Sequence, residues 1–250
     1  MRSEAVDSAS DLILGFGDSV INGGVLTEQD SLATTILSDT LTKHHGKKIQ
    51  FLNISAGSWG PDNCFAYLKK YGDFGAKSIY LFVSSHDAYD NMNFEKIVDV
   101  SESLPSKQYT LALYELVDRY LIPRLKNLFK TSPSIREDIE INKKKGNEIF
   151  NTGFNSFLSY SKKKNILFTI YLHADRNELK SGSYNKQGKE IIEFAKENNI
   201  PIILDLENGL SLSDFRDGIH INCMGQKKLA STVTKYINTY TMKAHRDSIQ

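Results

Sequence analysis

The feature of this sequence that most constrains its fold is the alternation of short apolar runs, rich in β-branched residues, with longer amphipathic segments. Strands that alternate with helices in this way form parallel sheets covered by helices on both faces. The strand-like runs are residues 11–16, 49–54, 78–84, 166–172 and 201–206. The helix-like segments are residues 31–43, 61–71, 185–197 and about 224–241. We therefore expect an α/β fold, a three-layer α/β/α sandwich with a central, mostly parallel five-stranded sheet.

The long stretch between the third and fourth predicted strands breaks this alternation. Residues 93–161 carry no clear strand pattern, but residues 109–129 and 139–160 have apolar residues at helical spacing. We interpret the stretch as a helical insertion, at about 93–161, in a single domain of residues 1–250 with its core at about 11–245. An insertion of this kind is a candidate lid or wall of a ligand site.

Composition and charge exclude several classes of protein. The formal net charge of +1 gives no general attraction to nucleic acid or to an anionic membrane. Hydrophobic residues make up 40% of the 250 residues, which suffices for one core without a disulfide or a metal. The two cysteines, Cys64 and Cys223, lack the spacing of metal ligands. We therefore expect no metal, no cofactor and no nucleic-acid partner.

The sequence shows neither a membrane span nor a signal peptide. No run of about 18 apolar residues occurs, so we expect no membrane-spanning helix. Residues 1–10 are polar, unlike the apolar centre of a secretory signal. This start fits both a native end and the trimmed end of a secreted protein, so the sequence leaves the compartment open, as it does the oligomeric state.

Polar residues follow each predicted strand, and in a parallel sheet these positions share one edge, where ligands bind. They are Gly17-Asp18-Ser19, residues 55–60, Ser84-Ser85-His86-Asp87, His173 with Asp175, and Asp217 with His220 in the loop before the last helix. Serine, histidine and carboxylate side chains are therefore predicted to meet at this edge.

Ser19, His220 and Asp217 have the chemistry of nucleophilic acyl transfer. A serine hydroxyl becomes a nucleophile when an imidazole accepts its proton, and a carboxylate fixes the tautomer of that imidazole. Asp217 lies three residues before His220, so both side chains fit on one turn. The N–H groups of Ser19 and Gly57, in turns of small residues, are candidates to bind the oxyanion. The alternative is that these polar residues only cap helices and turns, but their combination favours catalysis.

Two other glycine motifs overlap the segment that contains Ser19, but each lacks one of its glycines. Gly15-Phe16-Gly17 opens like a dinucleotide-binding fingerprint, but Val20 occupies the third glycine position. The nucleophile elbow of α/β-hydrolases needs a glycine where Ile21 stands. Neither a dinucleotide site nor the α/β-hydrolase fold is therefore predicted.

Three short blocks, in order along the chain, resemble those of the GDSL or SGNH hydrolase family. They are Gly17-Asp18-Ser19, the segment 53–57 ending in Gly57, and Asp217-Gly218-Ile219-His220 followed by Asn222 and Gly225. The resemblance implies a flavodoxin-like fold of the SGNH hydrolase type. It also implies that Ser19 is the nucleophile, that Asp217 and His220 complete the triad, and that Gly57 donates to the oxyanion.

The chain departs from the family at the third block, where Gly-x-Asn-Asp is usual and the asparagine donates to the oxyanion. Here the segment is Ser84-Ser85-His86-Asp87. An imidazole N–H is able to donate in place of the amide, so His86 is one candidate for the third donor. In the alternative, the hole rests on Ser19 and Gly57, with nearby Asn91 as a further candidate.

These residues predict a serine esterase that hydrolyses a carboxylic ester through an acyl-enzyme on Ser19. The expected substrate is a small-molecule or glycan ester, such as an acetylated carbohydrate or a lipid-like ester. Trp59 either lines the substrate pocket or packs against the sheet edge, and Asn91 is a further candidate for substrate binding. Two alternatives remain: an O-acyltransferase that moves the acyl group to a glycan hydroxyl, and a non-catalytic carbohydrate-binding module on the same scaffold.

Overall fold

The structure, a computed structural model, describes residues 2–92, 98–99, 106–122, 124–125 and 149–247, with the side chains of the last helix as far as residue 239. The chain forms two compact units. The first consists of residues 1–91 and 146–250, and the second of residues 92–145. All the residues predicted to form the site belong to the first unit.

Five strands form one sheet in the first unit: β1 (Asp11–Gly17), β2 (Ile49–Ser55), β3 (Ser78–Ser84), β4 (Leu167–His173) and β5 (Ile202–Leu204). Their order is β2-β1-β3-β4-β5, and each neighbouring pair is parallel. The β1–β2 register runs from Asp11 opposite Ile49 to Gly17 opposite Ser55. The predicted α/β fold with a five-stranded sheet is confirmed, and its strand order is that of flavodoxin-like folds.

Helices cover both faces of this sheet. In chain order the α-helices are α1 (Ser19–Asn22), α2 (Ala33–His45), α3 (Pro61–Tyr71), α4 (Ala112–Glu115, in the second unit), α5 (Thr152–Lys164), α6 (Arg176–Ser181), α7 (Lys186–Glu197) and α8 (Cys223–Asp247). Buried side chains of α3, α5 and α7 form the core on one face, and those of α2 and α8 the core on the other. Among the described residues, no helix is long and apolar enough to cross a membrane.

The central strand β1 shows why the strands are almost wholly apolar. Leu12, Leu14 and Phe16 point into one core, and Ile13 points into the other. Successive side chains of a strand face opposite sides, so a sheet covered on both faces needs apolar residues at consecutive positions. β1 is therefore packed on both faces, and its carboxyl end leads directly into α1.

Most predicted boundaries lie within two residues of the observed ones, and the differences have local causes. α2 begins at Ala33 rather than at residue 31 because Gln29–Ser31 forms a separate 3-10 turn. β5 is shorter than the predicted 201–206 because the chain turns at Asp205–Glu207. The last helix extends six residues beyond its predicted end at 241, to Asp247.

The expected insertion at about 93–161 coincides only in part with the second unit. Most of α5 lies within the expected range, but the helix belongs to the first unit, where Phe154 and Phe157 are fully buried. The ring of Phe157 stacks on that of Phe168 in β4, with 5.7 Å between centroids. α5 is therefore part of the layer that covers the sheet.

The described part of the second unit contains α4, which continues into a π-helical turn at Leu116–Leu121. Both lie within the helical pattern predicted at 109–129. Of the other predicted pattern, 139–160, residues 139–148 lie outside the described residues. The single-domain arrangement and the role of the insertion as a lid or wall stay predictions.

Gly153, in the first turn of α5, lies against the backbone at the start of α3. A Cβ at this position would come within 2.2 Å of the Pro61 carbonyl carbon and 2.3 Å of the Asp62 nitrogen. Because backbone atoms cannot move aside easily, we expect Gly153→Ala to lower the free energy of unfolding by about 1–3 kcal/mol in chemical denaturation. Asn155→Ala, at an exposed position of the same helix, is the control and should change it by less than about 0.5 kcal/mol. Equal stabilities for the two variants would contradict this packing.

Candidate active site

Ser19 is held at the carboxyl end of β1 by the residues on either side of it. Asp18 caps α1, since its Oδ1 accepts the Val20 N–H at 2.8 Å. Gly17 allows the strand to pack closely, because a Cβ there would lie 3.0 Å from the Phe82 carbonyl oxygen. Ser19 itself is half-buried and opens the four-residue helix. Its hydroxyl is therefore presented at the edge of the sheet where the predicted site lies.

Asp217 and His220 lie in a short hairpin, residues 215–221, that precedes α8. Phe215 and Ile221 form an antiparallel bridge, and the Arg216 N–H donates to the His220 carbonyl at 2.8 Å. The Oδ1 atom of Asp217 accepts the N–H groups of Ile219 at 2.9 Å and His220 at 2.8 Å. The acid thus organises its own turn as well as facing the imidazole.

The structure brings Ser19, His220 and Asp217 into one hydrogen-bonded chain. His220 Nε2 lies 2.8 Å from Ser19 Oγ, and His220 Nδ1 lies 2.7 Å from Asp217 Oδ2. An ionised carboxylate only accepts hydrogen bonds, so Nδ1 carries the hydrogen. Nε2 is then the acceptor for the Ser19 hydroxyl proton. This arrangement can activate a serine by general-base catalysis.

Two residues that sequence reasoning did not identify hold the hairpin against α1. Arg216 Nη2 donates to the Gly23 carbonyl at 3.1 Å and to Thr27 Oγ1 at 3.0 Å. In α8, the buried Gln226 donates to the Val20 carbonyl at 2.7 Å and accepts the Ala33 N–H at 2.9 Å. These partners are about 190 to 206 residues away along the chain, so no local pattern marks the two residues.

His86 lies in the 3-10 turn Ser85–Ala88 that follows β3, and 43% of its side chain is exposed. Its imidazole, the Asp87 carboxylate and the Asp18 carboxylate offer atoms that lie within 4.8 Å of one another. The imidazole is therefore beside the residue that precedes Ser19. Burial raises the pKa of Asp18, while the nearby histidines His86, His173 and His220 act to lower it.

A histidine with two carboxylates has the ligand types of a metal site. Each carboxylate, however, already accepts a backbone N–H: Asp18 that of Val20 at 2.8 Å, and Asp87 that of Ser84 at 2.7 Å. Both acids are buried and serve the turns that carry Ser19 and His86. We assign no metal to this cluster.

Gly57 lies in an exposed turn after β2, and hydrogen bonds of the nearby Ser55 connect this turn to α1. The amide of Asn22 in α1 donates to the Ser55 carbonyl at 3.1 Å and to Ser55 Oγ at 3.3 Å. A Cβ at Gly57 would meet no atom within 4 Å, so the space over this turn is open. The placement agrees with an oxyanion role for its N–H, which stays a prediction.

Trp59 and Asn91 are the two residues predicted to contact the substrate. Trp59 is half-buried and packs on the ring of Tyr67 at 5.9 Å, against the core formed with α3. The Asn91 amide donates to the Ile149 carbonyl at 2.8 Å, which joins the two chain segments that flank the second unit. Because its amide is engaged there, we do not propose Asn91 as an oxyanion donor.

Comparison with known proteins identifies the fold from solved structures alone. No family model matches the chain, and no curated protein matches its sequence. The psychrotrophic esterase EstA from Pseudoalteromonas sp. is 11% identical, with a TM-score of 0.53 over 93% of this chain and 99% of that one. The acetyl xylan esterase AlAXEase is 13% identical, with a TM-score of 0.53 over 90% and 99%. The lipase/acylhydrolase from Enterococcus faecalis is 12% identical, with a TM-score of 0.51 over 92% and 96%.

The carboxyl group of Asp217 is expected to stay ionised in acid. Burial acts to raise its pKa, but the N–H groups of Ile219 and His220 and the His220 imidazole outweigh burial and lower it from 3.8 to about 2. Because the folded-state pKa lies below the ordinary value, the carboxylate stabilises the fold above about pH 4, and this contribution is lost as the pH falls through about 2.

A carbon-13 NMR titration tests this assignment. At pH 3 the carboxyl carbon of Asp217 should still report the ionised form in the wild type, and protonation should begin at higher pH in His220→Ala because one partner is lost. Asp7, whose pKa is lowered to about 2 by its hydrogen bond to Lys48, is an internal control that should not respond. An unchanged Asp217 titration in His220→Ala would contradict the hydrogen bond.

Proposed function

We propose, from the fold that this chain shares with the GDSL/SGNH esterases and lipases, that it hydrolyses a carboxylic ester through an acyl-enzyme on Ser19. The observation that carries the proposal is the hydrogen-bonded chain from Ser19 Oγ through His220 to Asp217, with distances of 2.8 Å and 2.7 Å. A fold shared with esterases supports the reaction class. The triad supports the residue assignments.

In the proposed reaction, Ser19 Oγ attacks the ester carbonyl while His220 Nε2 takes the hydroxyl proton. Asp217 stays ionised and stabilises the imidazolium that forms. His220 then donates this proton to the leaving alkoxide, which departs as the alcohol and leaves the acyl group on Ser19. A water molecule, activated by the same imidazole, attacks the acyl-enzyme and releases the acid.

The negative charge on the carbonyl oxygen needs donors that are in place before the attack. The N–H of Ser19 lies in the first turn of α1 and has no acceptor within its own helix. The Gly57 N–H lies in the neighbouring turn, and His86 stands where the family's asparagine does. We propose these three groups as the oxyanion hole.

The substrate class is inferred from the accessibility of the triad and from the neighbours. The side chains of Asp217 and His220 are 55% and 36% exposed within their unit, which leaves room for a bulky alcohol. Structural neighbours include an acetyl xylan esterase and a two-domain esterase active on acetylated mannans, the latter at 11% and 10% identity in two structures. We therefore propose a small acyl group on a carbohydrate or a lipid-like alcohol, with Trp59 at the edge of the pocket.

An O-acyltransferase would form the same acyl-enzyme and would differ only in the acceptor. Partition of the acyl group between water and added glycan separates the two activities. A non-catalytic carbohydrate-binding module would not need a hydroxyl, an imidazole and a carboxylate in hydrogen-bonding contact, so the triad geometry favours an enzyme.

A fluorophosphonate probe tests the nucleophile, because it reacts covalently only with an activated serine. We expect it to label the wild type and to leave Ser19→Ala unlabelled. Ser213→Ala, in an exposed position shortly before the hairpin, is the matched control and should be labelled like the wild type. Equal labelling of wild type and Ser19→Ala would reject the assignment.

The role of His86 is tested by two substitutions. Loss of one oxyanion donor should lower the kcat of His86→Ala by about 100-fold, with little change in KM. His86→Asn restores an amide donor and should keep most of kcat. If His86→Ala turns over a p-nitrophenyl ester at the wild-type rate, the hole rests on Ser19 and Gly57 alone.

A further inference from the structure

A buried polar network lies directly behind the hairpin that carries Asp217 and His220. His173 ends β4, Asp205 follows β5, and only 2% and 1% of their side chains are exposed. His173 Nδ1 contacts Asp205 Oδ2 at 2.5 Å, and His173 Nε2 lies 2.9 Å from the Ile219 carbonyl oxygen. The Tyr171 hydroxyl donates to the other Asp205 oxygen at 2.7 Å. The network therefore joins two strand ends to the hairpin.

Each of the two ring nitrogens of His173 has its own hydrogen-bond partner. A backbone carbonyl can only accept, so Nε2 must carry a hydrogen to bond Ile219. On the other side of the ring, Nδ1 lies 2.5 Å from Asp205 Oδ2, within hydrogen-bonding distance of the carboxyl group. Burial acts to lower the pKa of His173, but the hydrogen bond and charge of Asp205, the Ile219 carbonyl and the charge of Asp18 outweigh it and raise the pKa. Both ring nitrogens of His173 are therefore engaged, Nδ1 by Asp205 and Nε2 by the hairpin.

The carbonyl that His173 binds occupies a sensitive position in the hairpin. Ile219 immediately precedes His220, and its own N–H donates to Asp217 Oδ1 at 2.9 Å. The imidazole of His173 also stacks on the ring of Phe215, at 5.7 Å, where the hairpin begins. Both the start of the hairpin and the peptide between Ile219 and His220 are therefore held by one side chain.

We propose that His173 is a positioning residue, which fixes the Asp217–His220 turn at the distance from Ser19 that proton transfer needs. It touches neither the substrate nor the reacting atoms, and it acts through the Ile219 carbonyl. The proposal rests on the proposed function, because the turn matters for rate only if His220 is the base. Supporting hydrogen bonds of this kind are effective because a misplacement of about 1 Å can cost about 100-fold in rate.

Two substitutions each keep one of the two hydrogen bonds of His173 and remove the other. The amide nitrogen of asparagine lies near the place of Nδ1, so His173→Asn keeps the donor to Asp205 and loses the bond to the hairpin. The amide nitrogen of glutamine reaches the place of Nε2, so His173→Gln keeps the bond to the hairpin. The two variants therefore differ in which partner of His173 they retain.

With p-nitrophenyl acetate as the probe, we expect His173→Asn to lower kcat by about 10- to 100-fold with little change in KM. His173→Gln should lose less than about tenfold in kcat, and clearly less than His173→Asn, because it keeps the bond to the hairpin. In proton NMR, the downfield signal of the His220 Nδ1–H should shift in His173→Asn and stay in place in His173→Gln. Tyr160→Phe, which loses a hydrogen bond of 2.7 Å to Asp73 elsewhere in the unit, is the control and should leave kcat unchanged.

Equal losses of kcat in the two His173 variants, or a wild-type kcat in His173→Asn, would overturn the proposal. If neither variant folds, Tyr171→Phe decides, because it removes only a hydroxyl that steadies Asp205. Its kcat should then fall severalfold at constant KM, and an unchanged kcat would overturn the proposal. Failure of the fluorophosphonate to label wild-type Ser19 would instead reject the proposed function itself.

Discussion

The parallel pairing of β1 with β2 on one side and with β3 on the other is the constraint on which the site depends. Each crossover returns the chain so that the carboxyl ends of these strands lie at one edge. The connection after β1 leads to β2 on one side and the connection after β3 leads to β4 on the other, and such a switch point opens a crevice at the strand ends. Ser19 enters that crevice directly from the strand, between the turns that carry Gly57 and His86.

Asp217 and His220, the other half of the proposed triad, reach the crevice by polar contacts rather than by strand pairing. Arg216 of the 215–221 hairpin donates a hydrogen bond to the Gly23 carbonyl at the end of α1. Gln226 of α8 donates one to the Val20 carbonyl within α1. Behind the hairpin, His173 binds the Ile219 carbonyl. An unpaired buried polar group costs free energy. Such hydrogen bonds therefore specify one position of the hairpin, whereas apolar packing tolerates several.

The segment after β3 differs electrostatically from that of a site with an asparagine donor. His86 lies beside the buried carboxylates of Asp18 and Asp87. An imidazole has a charge that changes with pH, whereas an amide does not. The proposed oxyanion hole of this chain therefore places an imidazole beside two buried acidic side chains.

Local patterns in the sequence determined the α/β architecture and the Asp217–His220 turn, because strand and helix periodicity and a spacing of three residues are set by neighbours along the chain. Three blocks at strand ends were enough to predict Ser19, Asp217 and His220 as one group. The three-dimensional packing was needed to show that α5 belongs to the sheet-covering layer, and that Arg216, Gln226 and His173 hold the hairpin. Their partners lie 46 to 206 residues away, and contacts across such separations depend on the packing of the whole unit.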